Sequence, residues 1–143
     1  MSDPEQPRRQ VLAERLEYLF RSIRESGKRE YSNEDVAAAI TRDQGVTISA
    51  SYIWYLRTGQ RDNPTLKHLT ALATFFGVPA AYFFDDAVRE QVEGEIALVT
   101  ALKDNGVREV AMRASGLSDR SLDTIAEVIN RVRELEGLPP KES

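Results

Sequence analysis

The side chains best suited to binding chemistry in this sequence lie between residues 49 and 67, and they are hydrogen-bond donors. Hydroxyl, guanidinium, amide and ammonium groups recur there at short intervals, and they belong to Ser49, Arg57, Thr58, Arg61, Asn63, Thr65 and Lys67. Groups of these types donate to anionic oxygens and recur in contacts with the sugar-phosphate backbone of nucleic acids. We therefore predict that these residues contact the backbone of double-stranded DNA.

A short helix must present the first of these donors. Thr47 or Ser49 is a suitable N-cap residue, and Gly59 suits the position after a helix where the backbone needs a positive φ. With the apolar side of this helix buried, Ala50, Ser51 and Tyr55 share the exposed side. An alanine methyl can pack on a thymine methyl, and a hydroxyl can bond to base edges in the major groove. We predict that these three residues contact bases. Discrimination between base pairs should be modest, because the start of the helix has no Arg, Asn or Gln that could make a bidentate hydrogen bond to a base.

The spacing of apolar residues elsewhere predicts further helices and no strand. A first helix from Arg8 to Glu25 has an apolar stripe. We interpret its basic side chains, Arg15 among them, as a solvated face, with phosphate contacts by some of them as the alternative. Pro64 fits the start of a fourth helix. Pro79 opens a short fifth helix, whose aromatic residues 82–84 we assign to core or interface packing.

The sequence is predicted to be all-α and to divide between residues 85 and 86, where charge and composition change. Residues 8–85 are assigned to a helix-turn-helix domain, and residues 86–137 to a helical dimerisation domain with a turn at Asn105–Gly106. We expect the tails, residues 1–7 and 138–143, to be disordered.

Apolar stripes on the three helices predicted after residue 86 have two explanations: they fold against the same chain, or they pair with a second copy. We favour a homodimer because 58 residues are few for an independent core. The sequence does not divide the interface from the local core, and the candidates for both are Val88, Val92, Ile96, Leu122, Ile125, Ile129 and Val132.

Composition argues against several classes of function. The sequence has no cysteine and one histidine, so we expect no metal site, no cofactor and no enzymatic activity. Its longest apolar-rich run contains polar residues, Gly77 and Pro79, so we expect no membrane span and a cytoplasmic location, at the nucleoid.

Two aromatic side chains near the donors have more than one interpretation. We interpret His68 as a solvated surface residue at a helix start, with a phosphate contact as the alternative. Trp54 lies beside the reading face, where it packs either on the DNA backbone or against a neighbouring helix.

The net charge of -4 does not exclude DNA binding, because its distribution is uneven. Residues 1–85 carry 11 basic and 11 acidic side chains, whereas residues 86–143 carry 8 basic and 12 acidic ones. Attraction to phosphate is local and is screened beyond about 10 Å at 0.1 M salt, so a basic patch on an acidic chain can bind DNA.

Residues 31–84 resemble the helix-turn-helix domain of the Cro/C1 (XRE) repressor family. The features that carry the resemblance are Ala37, Ile53, Leu56, Gly59, Pro64 and the run Leu69, Leu72, Phe76, Gly77 and Val78. The resemblance implies a five-helix, lambda-repressor-like domain with base contacts at the three residues named above. The implied backbone contacts fall on Ser49, Thr58, Arg61 and Thr65.

The connection from Ala37 to Ile53 is several residues longer than the usual spacing of that family. Together with the motifs SYIWYLRTGQRDNP, AAYFFDD and DNGVREVAMRASGLS, it is similar to a narrower group, the actinobacterial regulators of the EspR type. This similarity runs nearly end to end. It implies a C-terminal helical dimerisation domain and a transcriptional or nucleoid-associated role.

These observations favour a DNA-binding transcriptional regulator that acts as a homodimer. Two other functions are weighed against it. The same fold could hold a sigma factor, a toxin or another regulator, and the acidic chain with its modest base readers favours that interpretation somewhat. A ligand-gated repressor is the other alternative, although no polar cluster within the apolar stripes indicates a ligand.

Overall fold

The computed structural model describes residues 6–25, 28–61 and 64–139, and every regular element within these ranges is helical. An isolated bridge pairs Glu25 with Arg29. The helices are α1 (Gln6–Ser22), α2 (Asn33–Gln44), α3 (Ala50–Arg57), α4 (Leu66–Phe76), a 3₁₀ helix (Ala80–Phe83), α5 (Asp86–Ala114) and α6 (Asp119–Leu135). The predicted all-α class is therefore confirmed for the described residues.

Side-chain caps determine where these helices begin. Ser32 and Asp35 form a reciprocal capping box at α2, and Ser49 accepts a hydrogen bond from the Tyr52 amide over 3.0 Å at α3. α4 begins at Leu66 rather than at Pro64, because the Thr65 hydroxyl caps it. The predicted fifth helix is a single 3₁₀ turn.

α5 contains a break at Gly106, where φ is 81° and ψ is 164°. Only glycine adopts this conformation readily, so the backbone turns there, as the Asn105–Gly106 pair predicts. Ser118 caps α6 by accepting from the Ser121 amide over 3.2 Å.

The chain divides into two compact units, residues 1–92 (unit 1) and 93–143 (unit 2). This division falls within α5, whereas the sequence predicts a domain boundary between residues 85 and 86. Asp85 caps α5 by accepting from the amides of Ala87 and Val88 over 2.9 and 3.2 Å. The predicted tails lie partly outside the described residues, and α1 already includes residues 6 and 7.

Unit 1 has a core made by α1, α2, α3, α4 and the 3₁₀ helix. Leu16, Phe20, Ile40, Ile53 and Leu72 are fully buried there. Phe20 also contacts Phe76 edge to face, with 5.0 Å between ring centroids. This packing holds α3, through Ile53, against α1 and α2.

Arg15 is buried in unit 1, which corrects the prediction of a solvated side chain. It donates to the Tyr82 carbonyl over 3.4 Å and pairs with Asp86, while the Tyr82 hydroxyl donates to the Arg15 carbonyl over 2.9 Å. A guanidinium can be buried when it is paired in this way. Tyr82 and Phe83 are buried as predicted, but Phe84 is 64% exposed.

Unit 2 buries little of its apolar surface. Val128 is buried, whereas Leu122 and Ile129 on the same helix are 40% and 37% exposed. The other large apolar side chains exposed in unit 2 are Val107, Met112, Leu117, Leu135 and Leu138. None of the described helices combines the length and the apolar content needed to cross a membrane.

Candidate nucleic-acid interface

The side of α3 that the sequence predicts to contact bases is exposed. Ser51 is exposed, Tyr55 is 40% exposed, and Ala50 is half-buried at the helix start. On the inward side, Ile53 and Leu56 are fully buried. The burial of one side fixes the direction in which the other side points.

Two side chains of α2 make hydrogen bonds at the start of the long connection from α2 to α3. α2 ends at Gly45 with a φ of 66°. The Thr41 hydroxyl donates to the Val46 carbonyl over 3.2 Å, and the Gln44 amide donates to the Ala71 carbonyl over 3.0 Å. These bonds attach the end of α2 and the start of the connection to the rest of unit 1.

His68 contacts three segments of unit 1. Its Nε2 atom is 3.0 Å from the Thr47 carbonyl oxygen, and its Nδ1 atom is 2.9 Å from the Thr65 hydroxyl. Its ring lies 4.7 Å from the Tyr52 ring, centroid to centroid. His68 is half-buried, which corrects its interpretation as a solvated residue.

The guanidinium of Arg61 lies over the ring of Tyr52, which also contacts His68, and is 5.4 Å from the ring centroid. We call Thr47, Tyr52, Arg61, Thr65 and His68 the histidine cluster. It brings together two predicted phosphate contacts, Arg61 and Thr65, and both are exposed. The buried Tyr52 hydroxyl has no hydrogen-bond partner among the described residues.

Arg57 is placed differently from its prediction. Its guanidinium donates to both carboxylate oxygens of Glu17 and, over 2.8 Å, to the Asn33 side chain. It also lies 3.9 Å from the centroid of the Phe20 ring. Because these partners occupy the guanidinium, we leave Arg57 out of the proposed DNA contacts and assign it to holding α3 against α1 and α2.

The remaining predicted backbone contacts differ in availability. The Ser49 hydroxyl caps α3, and Lys67 is exposed on the first turn of α4. The Thr58 hydroxyl donates to the Trp54 carbonyl over 2.9 Å, so its proton is used within α3. Asn63 lies outside the described residues.

Arg42, near the end of α2, is paired with its neighbour. Its guanidinium donates to both carboxylate oxygens of Asp43, over 2.9 and 3.1 Å. These hydrogen bonds, aided by the positive charge, lower the pKa of the Asp43 carboxyl below its ordinary value. Asp43 therefore stays ionised to lower pH, and the pair adds little net positive charge to this surface.

Comparison with known proteins adds a second line of evidence. No family model matches the chain. The nucleoid-associated protein EspR of Mycobacterium tuberculosis, in strains CDC 1551/Oshkosh and ATCC 25618/H37Rv, is 36% identical over 128 residues, which span 90% of this chain and 96% of the relative. The chain belongs to the EspR family.

In this EspR-family protein, sequence reasoning missed one feature of the candidate interface, the contact between Thr65 and His68. The spacing from Thr65 to His68 is that of an N-cap residue and its N3 partner, a signal that could have placed the imidazole beside the hydroxyl. Trp54 is 46% exposed and contacts the Tyr55 ring edge to face at 5.2 Å, which enlarges the aromatic part of the outward face. In the described part of the chain, no group of acidic or histidine side chains is arranged to hold a metal ion.

We predict that Arg57 and Arg61 differ sharply in their contribution to stability. Arg57→Ala removes a partly buried guanidinium and leaves the Glu17 and Asn33 side chains unpaired, so unfolding should become easier by about 1–3 kcal/mol. Arg61→Ala removes an exposed side chain and should change stability by less than about 0.5 kcal/mol. Urea unfolding followed by circular dichroism measures both. Equal midpoints for the two variants would contradict the structural role of Arg57.

Proposed function

We propose that this protein is a transcriptional regulator that binds duplex DNA as a homodimer, through a helix-turn-helix formed by α2 and α3. The observation that carries the proposal is the exposed outward face of α3. α3 begins at a capped N-terminus and belongs to the same unit as the histidine cluster. The first turns of such a helix can enter a major groove, while neighbouring donors contact phosphates.

Base contacts are assigned to Ala50, Ser51 and Tyr55. The hydroxyl of Ser51 can donate to or accept from base edges, whereas the Ala50 methyl and the Tyr55 ring offer apolar contact to thymine methyl groups. The exposed ring of Trp54 extends this apolar surface. Readout on this face therefore depends more on methyl groups than on bidentate hydrogen bonds.

Backbone contacts are assigned to Ser49, Arg61, Thr65 and Lys67, with weaker support for Thr58. The Thr58 hydroxyl donates to the Trp54 carbonyl, and the Thr65 hydroxyl is hydrogen-bonded to the His68 ring. The free amides in the first turns of α3 and α4 add further donors. Arg61 and Lys67 supply positive charge, whereas Arg42 and Arg57 are paired with carboxylates. This distribution supports phosphate binding beside α3 on a chain whose net charge is -4.

The similarity to EspR covers nearly all of both chains and supports the same general role. Its relatives are named nucleoid-associated proteins, so we propose that this protein binds many sites in the nucleoid without enzymatic activity. The exposed apolar side chains of unit 2 support a homodimer, because a second copy could cover surface that one chain leaves in water. Leu122 and Ile129 are the proposed interface residues, and Ile125 and Val132, which are half-buried, belong to the local packing.

Binding to a duplex of random sequence at low salt tests the proposal directly. Arg61→Ala should weaken binding to every duplex and reduce the slope of log affinity against log salt concentration by about 0.9, the effect of one phosphate contact. Arg108→Ala, the same charge change at an exposed position of unit 2, is the matched control. Fluorescence anisotropy measures both variants.

Little binding by the wild type, even at low salt, would favour a protein-interaction module over a DNA-binding regulator. Equal losses in Arg61→Ala and Arg108→Ala would show that net charge, rather than Arg61, controls the affinity.

Replacing thymine by uracil in a duplex obtained by site selection tests the reading face. This replacement removes methyl groups alone, and each buried methyl group lost should weaken wild-type binding about fourfold. The affinity of Tyr55→Ala should fall less on the same replacement of thymine by uracil. The affinity of Arg61→Ala should fall by the same factor as that of the wild type. Ser51→Ala or Tyr55→Ala with unchanged base preference would refute the assignment of this face to base contacts.

The homodimer is tested by charged substitutions on α6. Leu122→Glu combined with Ile129→Glu places charge on the proposed interface and should convert dimers into monomers in analytical ultracentrifugation. Leu66→Glu, at a leucine that is 66% exposed in unit 1, is the control and should stay dimeric. A monomeric wild type, or a dimeric double variant, would contradict the proposed interface.

A further inference from the structure

The hydrogen bonds of His68 define which of its ring nitrogens carries a proton. The Thr47 carbonyl oxygen, 3.0 Å from Nε2, can only accept a hydrogen bond, so Nε2 must be the donor. In a neutral imidazole the other nitrogen then has a lone pair. Nδ1 therefore accepts from the Thr65 hydroxyl, 2.9 Å away.

The same hydroxyl is fully engaged while His68 is neutral. Its oxygen accepts from the His68 backbone amide over 3.1 Å, which caps α4, and its single proton points at Nδ1. Thr65 is exposed and is one of the proposed phosphate contacts, yet in this state its proton cannot reach a phosphate.

Protonation of His68 reverses the bond between these two side chains. A proton from solvent binds Nδ1, and Nδ1 then donates to the second lone pair of the Thr65 oxygen. The cap on α4 and the bond from Nε2 to Thr47 both remain. The hydroxyl proton is released and can turn outward.

Among the described residues, the groups that contact the imidazole carry no negative charge. Tyr52 of α3 faces the ring, and the guanidinium of Arg61 lies beyond Tyr52. Lys67 precedes His68 on α4, and the connection before α3 contributes the carbonyl of Thr47. A protonated imidazole therefore joins the positive charge that Arg61 and Lys67 already supply.

We propose that His68 is a positioning residue whose protonation strengthens binding to the DNA backbone, an inference that rests on the proposed DNA binding. It does so by releasing the Thr65 hydroxyl proton toward a phosphate and by adding positive charge beside Arg61. Histidine changes charge between about pH 5 and pH 8, so DNA affinity should rise as pH falls through this range. Since His68 is the one histidine in the sequence, substitution can assign the response to it.

The test measures affinity for one fixed duplex by fluorescence anisotropy at about pH 5.5 and about pH 8, over a range of salt concentrations. Wild type should bind about three- to tenfold more tightly at the lower pH. The salt slope should also steepen by about 0.9, because the imidazolium adds one positive charge that neutralises one more phosphate. The ratio between the two pH values is the readout, so the absolute affinity of a variant does not matter.

His68→Gln retains an amide that can donate toward Thr47 but does not titrate, and its ratio should fall close to one. Thr65→Ser keeps both the cap and the hydroxyl and should retain the wild-type ratio. Thr65→Asn keeps a cap but has no hydroxyl, so it should show a smaller ratio that reflects charge alone. Circular dichroism confirms that each variant is folded.

An undiminished pH response in His68→Gln would overturn the inference, as would wild-type binding that does not change with pH. A full response in Thr65→Asn would overturn the role of the hydroxyl. Failure to bind DNA at either pH would count instead against the proposed function.

Discussion

Helices of eight residues are not stable alone in water, so α3 depends on contacts with the rest of unit 1. Ile53 and Leu56 provide the apolar part of these contacts and are fully buried. Arg57 adds an ionic part, since its guanidinium joins α3 to Glu17 of α1 and to Asn33 at the start of α2. The outward face of α3 has a defined direction because its inward face is held in these ways.

The two ends of α3 are held by different chemistry, and this difference affects where positive charge is available. At the C-terminal end, a carboxylate pairs with Arg57 and removes its charge from the surface. At the N-terminal end, the Ser49 cap and the contacts of Tyr52 with His68 are formed largely by neutral groups. Arg61 lies over the Tyr52 ring at this second end, and no carboxylate of the described residues pairs with its guanidinium. An acidic chain can in this way present a local cationic surface.

Units 1 and 2 differ in how completely they bury their apolar side chains. Unit 1 buries large residues from every one of its packed helices, whereas unit 2 leaves Leu122, Ile129 and Met112 substantially exposed. Exposed apolar area of this kind is costly in water unless a partner covers it. The proposed homodimer accounts for this contrast.

Local patterns in the sequence were sufficient for the helical class and the exposed side of α3, since these depend on residues within one turn of each other. The roles of Arg15, Arg57 and His68 could not be predicted in the same way. Arg15 and Arg57 meet partners 71 and 40 residues away, and His68 meets Thr47 across 21 residues. Periodicity describes which side of a helix a residue occupies, but the partner on that side is determined by how the helices pack.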